Sequence, residues 1–471
     1  MMNKFSDWGI IGLGTIGINI SINFSRNGIK LSIYNRHVDG LEENVAQNIV
    51  KRNKGLKDVL TFDNIESFVK SIKKPRKILV LIPYGKPVDE VIELLLNHLS
   101  KGDIIVDGGN SYFRDTERRE VYLKRKKINF LGIGISGGTI GAKNGPSIMV
   151  GGSKKTYKKV ESELKKISAI SPLKKYCCER VGPSSSGHYV KMIHNGIEYV
   201  EMQLIAECYD IMKTEMQYDN LQISKIFGDW SKTNSRSYLL KISQEILKFK
   251  KDDSFLIDKI LDKSENKGTG IWAAISGIEL GVPNTLMNLA VNSRYISFQK
   301  EVRSKYSKLI KKKQSYIDIS INDLKLVYDF SRIINFYQGF EVLKSASKNY
   351  KWKLNLSDIS FVWSNGSILS SELIILFKEI FENGNDVLND YKINKYFISK
   401  YNVIKKIIVK IQASSVPSLL ISNSIIFFDL ITQKEGTGNL IQAQRDYFGS
   451  HGFNLIDSKK LIKNNWNDKE L

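Results

Sequence analysis

Four side chains that can exchange protons or hold a small polar molecule recur at helical spacing near the middle of the chain. They are Lys191, His194, Asn195 and Glu198, at positions i, i+3, i+4 and i+7, and on a helix they form one stripe. An amine and a carboxylate two turns apart lie about 10 Å apart along the helix axis. That separation is too long for a close ion pair, but it lets the two groups flank a bound molecule.

The helix that carries this stripe is predicted over residues 183 to 212. Its apolar positions recur at three- and four-residue steps, and Pro183 with the serines that follow it marks the start. A solvated polar face is the ordinary explanation of such a stripe. Histidine and asparagine are poor surface helix formers, however, and Gly196 costs up to about 1 kcal/mol relative to alanine. We therefore expect packing or a ligand to explain these residues.

The composition indicates a large globular protein. Its 471 residues, 42% of them hydrophobic, suffice for about two to four domains. No apolar run is long enough to span a membrane, and the N-terminus lacks a signal-peptide pattern, so we expect a cytoplasmic protein without a membrane partner. Cys177, Cys178 and Cys208 match neither a metal-ligand spacing nor a disulfide framework. We expect no metal.

The formal net charge of +22 has two interpretations. A basic protein can bind nucleic acid, and this alternative from another functional class stays open. The lysines are spread along the chain, however, with clusters such as residues 124–127 and 311–313, and no zinc-finger or RNA-recognition signature accompanies them. Since a positive field also concentrates small anionic substrates, we favour a basic enzyme and expect no nucleic-acid partner.

A glycine-rich motif near the N-terminus predicts a dinucleotide site. The run Gly12-Leu13-Gly14-Thr15-Ile16-Gly17 follows a short apolar strand, residues 8–11, and precedes a helical pattern that Gly28 ends. In this context G-x-G-x-x-G lets the backbone turn tightly, approach a pyrophosphate at a helix N-terminus, and pack the helix on the strand. The alternative interpretation of the motif is a glycine-rich turn that binds no ligand.

The end of the second predicted strand, residues 29–34, indicates which dinucleotide binds. NAD sites usually have an acidic residue there for the ribose hydroxyls, whereas this chain has Asn35-Arg36-His37. Arginine suits a 2′-phosphate, so the sequence favours NADP. The alternative interpretation is that Arg36 is an exposed loop residue that binds no cofactor.

Three further strands are predicted at residues 77–82, 103–106 and 129–135. The loops that follow them contain Pro83-Tyr84-Gly85, Gly108-Gly109-Asn110 and Ser136-Gly137-Gly138. Strands alternating with helices predict a parallel doubly wound sheet whose ligands bind beyond the carboxyl ends of the strands. We therefore expect these loops, with Ile82, to face the cofactor. The last loop also offers a hydroxyl and N–H groups to a carboxylate.

Beyond about residue 183 the pattern changes to long helices, which predicts a large all-α region. Lys267-Gly268-Thr269-Gly270 offers an ammonium and a hydroxyl to a phosphate, but it lacks G-x-x-x-x-G-K-[ST], which excludes a nucleotide-hydrolysing P-loop. Arg294 falls on the next helix. By themselves both cations are more often surface charges. The tail concentrates aromatic, arginine and histidine residues between 439 and 451, so we expect it to dock rather than fray.

Together these motifs make the chain similar to the 6-phosphogluconate dehydrogenase family over nearly its whole length. The motifs stand in the family's order: Gly12-x-Gly14-x-x-Gly17, Asn35-Arg36, Gly108-Gly109-Asn110-Ser111, Ser136-Gly137-Gly138, Lys191-x-x-His194-Asn195-Gly196-x-Glu198-Tyr199, Lys267-Gly268-Thr269-Gly270 and Gln444-Arg445-Asp446-Tyr447-Phe448-Gly449. The resemblance implies NADP-dependent oxidative decarboxylation of 6-phosphogluconate, a step of the pentose phosphate pathway.

The resemblance also implies an architecture, an α/β Rossmann-like N-terminal domain followed by a large all-α domain and a C-terminal tail. We expect an NADP-binding domain at 1–183, an all-helical substrate and dimerisation domain at 184–433, and a tail at 434–471 that crosses into the partner subunit of a homodimer. It implies that Lys191 is the general base and Glu198 the general acid.

Further site residues carry over from the family's motifs. The expected sugar-acid ligands are Asn110, Ser136, Gly137, Gly138, His194 and Asn195. The expected phosphate ligands are Tyr199, Lys267, Thr269, Arg294 and Arg445, with His451 as the partner-subunit contact. The expected cofactor residues are Gly12, Leu13, Gly14, Thr15, Ile16, Gly17, Asn35, Arg36, His37, Ile82, Pro83, Tyr84 and, shared with the substrate, Asn110.

The chain departs from the family's pattern in its loops. The family usually has Lys-Ala-Gly at Pro83-Tyr84-Gly85, two acidic residues at Thr139-Ile140, threonine at His37, lysine at Ile271 and arginine at Ser364. The motif of the helix with Lys191 is intact. A shorter β-hydroxyacid dehydrogenase relative is the alternative enzyme, since it shares the glycine motif and the lysine. The expected phosphate ligands and the tail speak against it.

Overall fold

The first half of the chain forms one eight-stranded sheet. The computed structural model describes residues 5–266, 268–309, 317–458 and 460–466. The strands of the sheet are β1 (Trp8–Ile11), β2 (Leu31–Tyr34), β3 (Leu60–Phe62), β4 (Lys77–Val80), β5 (Ile104–Asp107), β6 (Asn129–Ser136), β7 (Ser147–Gly152) and β8 (Cys178–Gly182). They are ordered β3-β2-β1-β4-β5-β6-β7-β8. The order reverses direction between β1 and β4, the point at which doubly wound sheets bind their ligands.

The predicted strands are confirmed to within about two residues at each end, and the predicted parallel doubly wound sheet is confirmed from β1 to β6, with one antiparallel pair beyond it. The strands from β1 to β6 run parallel, whereas β7 runs antiparallel to β6, and β8 lies parallel to β7. The reason is the length of the connection. Residues 137–146 are fewer than the dozen or so that a crossover between parallel strands needs. Strands β3, β7 and β8 were also not predicted.

Eight α-helices and one 3-10 helix, Lys54–Leu56, accompany the sheet within the described residues. The α-helices are α1 (Thr15–Arg26), α2 (Val45–Arg52), α3 (Ile65–Lys70), α4 (Lys86–Leu96), α5 (Phe113–Arg125), α6 (Gly138–Asn144), α7 (Lys154–Tyr157) and α8 (Glu161–Ile167). Apolar side chains cover both faces of the sheet, in one cluster around Ile10 and Leu79 and another around Ile11 and Ile78. This alternation follows from successive side chains pointing to opposite faces of a strand.

The second half is helical. Its elements are α9 (Ser186–Asp210), α10 (Asn220–Trp230), α11 (Tyr238–Lys248), the hairpin β9 (Lys250–Lys251) and β10 (Ser254–Phe255), α12 (Thr269–Glu279), α13 (Thr285–Phe298), α14 (Lys300–Tyr306), α15 (Ile321–Asn349), α16 (Leu356–Trp363), α17 (Glu372–Glu382), α18 (Tyr391–Gln412), α19 (Leu419–Thr432), α20 (Gly438–Gly449), and β11 (Phe453–Asn454) paired with β12 (Leu461–Ile462). No helix of the described residues is long and apolar enough to cross a membrane.

Helix α9 joins the two halves. The predicted helix over 183–212 is confirmed, and a π-helical turn, Ile211–Glu215, extends it. Its first turns lie directly on the sheet, because a Cβ on Gly134 of β6 would overlap the Cβ of Lys191. Farther along, a Cβ on Gly196 would lie 2.7 Å from Ala273 of α12. Close packing thus explains the glycine within the helix, as the sequence led us to expect.

A buried ion pair fastens α9 to α15. The Nε of Arg332 donates to the Glu201 carboxylate over 2.8 Å, and both side chains are 2% exposed. Asn335, one turn farther along α15, donates to the Ile197 carbonyl over 3.1 Å. Two long helices are therefore held in one register behind the stripe that contains Lys191.

The described C-terminal residues, 438–458 and 460–466, fold around Asp446. Its carboxylate accepts hydrogen bonds from the N–H groups of Gly452 and Asn464 and from the indole of Trp466. The apolar side chains of α20 face outward: Leu440 is 62% and Phe448 is 74% exposed. The tail therefore presents an uncovered apolar surface in a single chain.

Candidate functional site

A cavity of about 530 Å³ opens where the carboxyl ends of the parallel strands meet α9 and α12. Its lining comes from both halves of the chain. The lining residues are Ile16, Leu81, Ile82, Gly108, Gly109, Asn110, Ile135, Ser136, Gly137, Gly138, Lys191, Asn195, Glu198, Tyr199, Met202, Glu265, Thr269, Arg294 and Ile368. Most of the residues that the sequence singled out for the substrate therefore lie around one space.

Lys191 projects from α9 into this cavity with little contact to water. Its side chain is buried, and burial lowers its pKa from the ordinary 10.5 to about 8, because a desolvated ammonium is disfavoured. The negative charge of Glu198 opposes this shift without cancelling it. Near neutral pH part of the Lys191 population is thus neutral and able to take a proton.

Glu198 lies two turns farther along the same face of α9. Burial raises the pKa of its carboxyl group, and the positive charges of Lys191 and Arg294 oppose that rise. A carboxyl group with a raised pKa retains a proton to a higher pH than usual, so it can act as an acid. One face of α9 thus offers a base and an acid to the same space.

His194 lies beneath the cavity floor and is fully buried. Its Nδ1 is 3.3 Å from the Lys191 amine and 3.6 Å from the Glu198 carboxylate. Its Nε2 is 2.9 Å from the Ser136 hydroxyl and 2.8 Å from the Ser367 hydroxyl. Burial and the charge of Lys191 hold the pKa of His194 well below its usual value. An Nδ1 that accepts from Lys191 leaves the ring proton on Nε2, where a serine oxygen accepts it.

The turn between α16 and α17 was not predicted as part of the site. Ser367 binds His194, and the backbone N–H of Ile368 donates to the Ser136 hydroxyl over 3.2 Å. The Gly366 carbonyl lies so close to Gly137 that a Cβ on Gly137 would overlap it. The only sequence signal here was the departure at Ser364, which directs attention to the segment but not to its partners.

The far end of the cavity concentrates groups that bind anions. The guanidinium carbon of Arg294 stands 3.4 Å above the centre of the Tyr199 ring, and Asn195 donates to the Thr269 hydroxyl over 3.0 Å. Thr269 begins α12, so the helix N-terminus adds positive potential at the same place. Lys267, predicted as a neighbouring ligand, lies outside the described residues.

The turn between β1 and α1 fits a dinucleotide. Gly12 has a φ of +97°, and a Cβ there would overlap the Leu81 carbonyl. Nothing lies within 4 Å of the position of a Cβ on Gly14, so the backbone is open to a pyrophosphate at that residue. A Cβ on Gly17 would overlap the Gly12 carbonyl, which explains the third glycine by the packing of α1 on β1. Each glycine meets the requirement that the motif predicted.

Arg36 follows β2 at the edge where a 2′-phosphate is expected, and its side chain is 71% exposed. Its guanidinium donates to Glu42 from Nη2 over 2.9 Å and from Nε over 3.2 Å. Asn35 donates to the other oxygen of the same carboxylate over 2.8 Å. Glu42 therefore accepts from two of the predicted cofactor-binding residues. His37, a third, pairs with Asp39 at 2.8 Å.

Hydrogen bonds and an ion pair connect the loops after β4 and β5. Arg119, buried in α5, donates to the Gly85 carbonyl over 2.9 Å and lies 3.6 Å from the Asp107 carboxylate. Asp107 in turn accepts from the Ser111 hydroxyl over 2.7 Å. This network holds the loop that contains Pro83 and Tyr84 beside the one that contains Asn110. Sequence reasoning missed it, since Arg119 lies in a run of charges typical of an exposed helix.

Arg445 and His451 do not reach this cavity within one chain. Arg445 pairs with Gln442 of its own helix at 3.2 Å, and the His451 ring packs against Phe448, 6.0 Å between ring centres. Among the described residues, no group of three or more His, Cys, Asp or Glu is placed to hold a metal ion.

Two family models together match almost the whole chain. The model described as the NAD binding domain of 6-phosphogluconate dehydrogenase matches residues 7–182, and the model described as 6-phosphogluconate dehydrogenase, C-terminal domain, matches residues 187–466. The two matches thus cover both the Rossmann-like half and the helical half.

Curated relatives agree with the family models. The chain is 37% identical over 474 residues to a decarboxylating 6-phosphogluconate dehydrogenase of Lactococcus lactis, with 98% of each chain covered. It is 38% identical over 467 residues to the decarboxylating 6-phosphogluconate dehydrogenase 2 of Saccharomyces cerevisiae, which covers 97% of this chain and 94% of the yeast protein.

A solved structure matches the fold over its full length. The 6-phosphogluconate dehydrogenase of Plasmodium falciparum has a TM-score of 0.92 and 37% identity, and the match covers 98% of this chain and 100% of that one. That enzyme is described in its apo form, with its cofactor NADP+ and with its substrate 6-phosphogluconate.

Proposed function

Since this chain belongs to the 6-phosphogluconate dehydrogenase family, we propose how its cavity carries out that family's reaction. The enzyme oxidises and decarboxylates 6-phosphogluconate to ribulose 5-phosphate and CO2, and it reduces NADP to NADPH. The observation that carries the assignment of residues is the pair Lys191 and Glu198. They share one face of α9 in the cavity. Burial lowers the pKa of Lys191 and raises the pKa of Glu198, so both shifts favour the uncharged side chain.

In the oxidation Lys191 is the general base. Its neutral amine takes the proton of the C3 hydroxyl, and the C3–H bond breaks so that C3 becomes a ketone. The β1–α1 turn would hold the NADP that supplies the hydride acceptor for this hydrogen. The amine is placed for this role because the contact of α9 with Gly134 holds the Lys191 backbone against β6.

In the decarboxylation Lys191 and Glu198 act in turn. The bond between C1 and C2 breaks, CO2 leaves, and its electron pair forms the C2=C3 double bond of an enediol as the Lys191 ammonium returns a proton to the C3 oxygen. Glu198 then protonates C2, which becomes C1 of ribulose 5-phosphate, and the neutral Lys191 amine takes the proton of the C3 hydroxyl as the ketone re-forms. His194, held by Ser136 and Ser367, orients the Lys191 amine.

The substrate phosphate binds at the far end of the cavity. Arg294 supplies the charge, Tyr199 and Thr269 supply hydroxyls, and the first turn of α12 adds backbone N–H groups. At the other end Ser136, Gly137 and Gly138 receive the carboxylate, together with Asn110. Asn195, which donates to Thr269, contacts the sugar acid between the two ends. The β1–α1 turn would hold the cofactor's pyrophosphate, and Arg36 and Asn35 would bind its 2′-phosphate.

The enzyme acts as a homodimer whose tails are exchanged. Supporting this, α20 exposes an apolar face and Arg445 and His451 lie away from their own cavity. The apolar side chains Ile278, Ile296 and Tyr306 of α12 to α14 are also more than half exposed, as expected of a surface that a partner covers. We place the enzyme in the cytoplasm, in keeping with three free cysteine thiols.

An assay with purified protein tests this function. With NADP and 6-phosphogluconate the enzyme should form NADPH and CO2 in equal amounts, with ribulose 5-phosphate as the sugar product. Lys191→Arg keeps the charge but cannot deprotonate near neutral pH, so it should fold, bind substrate and lose most turnover. Lys175→Arg, an exposed lysine away from the cavity, is the matched control and should retain full activity.

Two results would contradict the proposal. Folded wild-type protein that forms no NADPH from 6-phosphogluconate would overturn the function. Near wild-type turnover of Lys191→Arg would leave the function standing but remove Lys191 from the role of base.

A further inference from the structure

Trp272 of α12 is held between two tyrosines of the Rossmann-like half. The Tyr84 ring meets it edge-on, with ring centres 4.9 Å apart and an angle of 77° between the planes. The Tyr112 ring contacts it at 4.9 Å and 46°. Tyr84 belongs to the loop after β4, and Tyr112 immediately precedes α5. We call Tyr84, Trp272 and Tyr112 the aromatic clasp.

The clasp lies next to both proposed binding regions. On one side, Tyr84 belongs to the loop of residues 82–85, whose Ile82 lines the cavity. On the other side, Trp272 follows Thr269 by three residues on α12, so the two side chains stand on nearly the same face of its first turn. The Tyr84 hydroxyl also lies 3.1 Å from the position of a Cβ on Gly268, the residue that precedes α12. The cofactor loop and the substrate-phosphate turn are therefore in direct contact.

A second contact keeps α12 aligned with this loop. At the end of α12, Glu279 accepts from Arg114 of α5 over 2.9 Å, and Arg114 also donates to the Tyr112 hydroxyl over 3.3 Å. Helix α12 is thus attached to the Rossmann-like half at both ends. Tyr84 is 44% exposed, so it is not a core residue whose role is simply to fill space.

We propose that the aromatic clasp couples the cofactor to the substrate, with Tyr84 and Trp272 as positioning residues. A ligand that orders the loop of Tyr84 also orders the turn with Gly268 and Thr269, and the reverse must hold to the same degree because coupling between two binding sites is reciprocal. This inference rests on the proposed function, since it takes Tyr84 to lie at NADP and Thr269 at the substrate phosphate.

The coupling can be measured without turnover by using NADPH as the probe. Its fluorescence gives a Kd in the presence and absence of saturating 6-phosphogluconate, a pair of ligands that does not react in the forward direction. An aromatic pair contributes roughly two- to tenfold to an equilibrium constant. We expect the substrate to lower the wild-type Kd for NADPH by that factor, and NADPH to lower the Kd for the substrate equally.

Variants separate coupling from binding. Tyr84→Ala and Trp272→Leu should each remove most of the coupling, and the double variant should be no worse than either single one. Tyr84→Phe keeps the ring and should keep the coupling. Tyr176→Ala, a tyrosine 43% exposed and away from the cavity, is the control and should behave as wild type. Circular dichroism checks the fold of each, and Trp272→Leu provides an independent test should Tyr84→Ala unfold.

Three outcomes would overturn the proposal. Wild-type protein in which the substrate leaves the Kd for NADPH unchanged would refute it while leaving the enzymatic function intact, provided NADPH still forms from 6-phosphogluconate. If Tyr84→Ala binds both ligands more weakly but the effect of one ligand on the Kd of the other is unchanged, Tyr84 is only a ligand contact. Additive effects of Tyr84→Ala and Trp272→Leu would show that the two rings act separately.

Discussion

Lys191 illustrates how burial turns an ordinary side chain into a base. Its pKa falls from 10.5 to about 8, which corresponds to about 3 kcal/mol of unfavourable free energy for the charged form in the folded protein. The unfolded chain binds more protons than the folded one between these two values. The free energy of unfolding should therefore rise with pH from about 8 to 10.5, and the destabilisation is fully present below 8.

The pH dependence of kcat/KM should show the titration of Lys191. Because only neutral Lys191 can act as the base, kcat/KM should increase with pH and level off above about 8. Glu198→Gln should lower the rate and keep a rising limb, since the limb belongs to the lysine, but should move it to lower pH because the charge of Glu198 no longer favours the ammonium. Initial rates measured between pH 6 and 10 with both substrates varied test this. A profile that is flat from pH 6 to 9 would contradict it.

Arg36 and Glu42 should set the cofactor preference in opposite directions. Arg36→Ala removes charge-assisted hydrogen bonds worth about 1.5–3 kcal/mol, so NADP should bind roughly ten- to a hundredfold more weakly while NAD changes little. Glu42 accepts from the same guanidinium at 2.9 Å and competes with a 2′-phosphate, so Glu42→Gln should strengthen NADP binding severalfold.

Titration of both dinucleotides against these variants provides the measurement. Arg52→Ala on α2, which removes an exposed arginine, is the control. Equal losses for NADP and NAD in Arg36→Ala would mean that Arg36 serves the fold or the shared part of the dinucleotide. Weaker NADP binding in Glu42→Gln would mean that Glu42 orients Arg36 instead of competing for it.

At the scale of elements, the position of α9 depends on its contacts with both halves of the chain. Close approach to β6 places Lys191 at the carboxyl end of the sheet, and the contact of Gly196 with Ala273 brings in α12 with Thr269. The base and the phosphate turn are thus positioned by one helix. This explains why a helix with His194, Asn195 and Gly196 in its middle is stable here, although its local propensity is poor.

The buried pair of Glu201 and Arg332 should hold α9 and α15 together. Glu201→Gln or Arg332→Met alone leaves a buried charge without its partner, so each should lower the free energy of unfolding by about 3–5 kcal/mol. Both substitutions together should cost much less than the sum. Denaturant unfolding of the three variants is the measurement, and Lys232→Ala, from a pair whose side chains are 77% and 56% exposed, is a control expected to change it by about 1 kcal/mol or less. Additive losses would show that the pair does not act as a unit.

At the scale of the whole molecule, the exchanged tail predicts complementation between two weakly active variants. Lys191→Ala and His451→Ala should each form weakly active homodimers. In a mixed dimer with exchanged tails, one site has both defects and the other has a normal lysine and a normal tail. Random reassortment makes half the dimers mixed, so about a quarter of wild-type activity should return.

The experiment mixes the two variants, exchanges subunits under mild denaturant and assays the product against each variant treated alone. Mass-tagged subunits confirm that exchange occurred. If activity never exceeds the mean of the two parents after confirmed exchange, the tail acts within its own chain or not at all.

The sequence by itself determined the features that depend on neighbouring residues. The glycine motif between β1 and α1, the strand that precedes Arg36, and the helical spacing from Lys191 to Glu198 all appear where they were predicted, because turn geometry and periodicity act over a few residues. The family and its NADP-dependent reaction, which these motifs indicated together, are confirmed by the comparisons. The roles of the individual site residues and the domain limits stay predictions.

Only the tertiary structure decided what depends on contacts between distant parts of the chain. Two contacts, that of His194 with Ser367 and that of Tyr84 with Trp272, join segments that no local pattern relates. The burial that lowers the pKa of Lys191 also depends on distant segments. The antiparallel direction of β7 likewise follows from how a short connection packs, not from the residues of the strand. The physical reason is that periodicity states which side of an element is buried but not what covers it. The chemistry of this site depends on what covers α9.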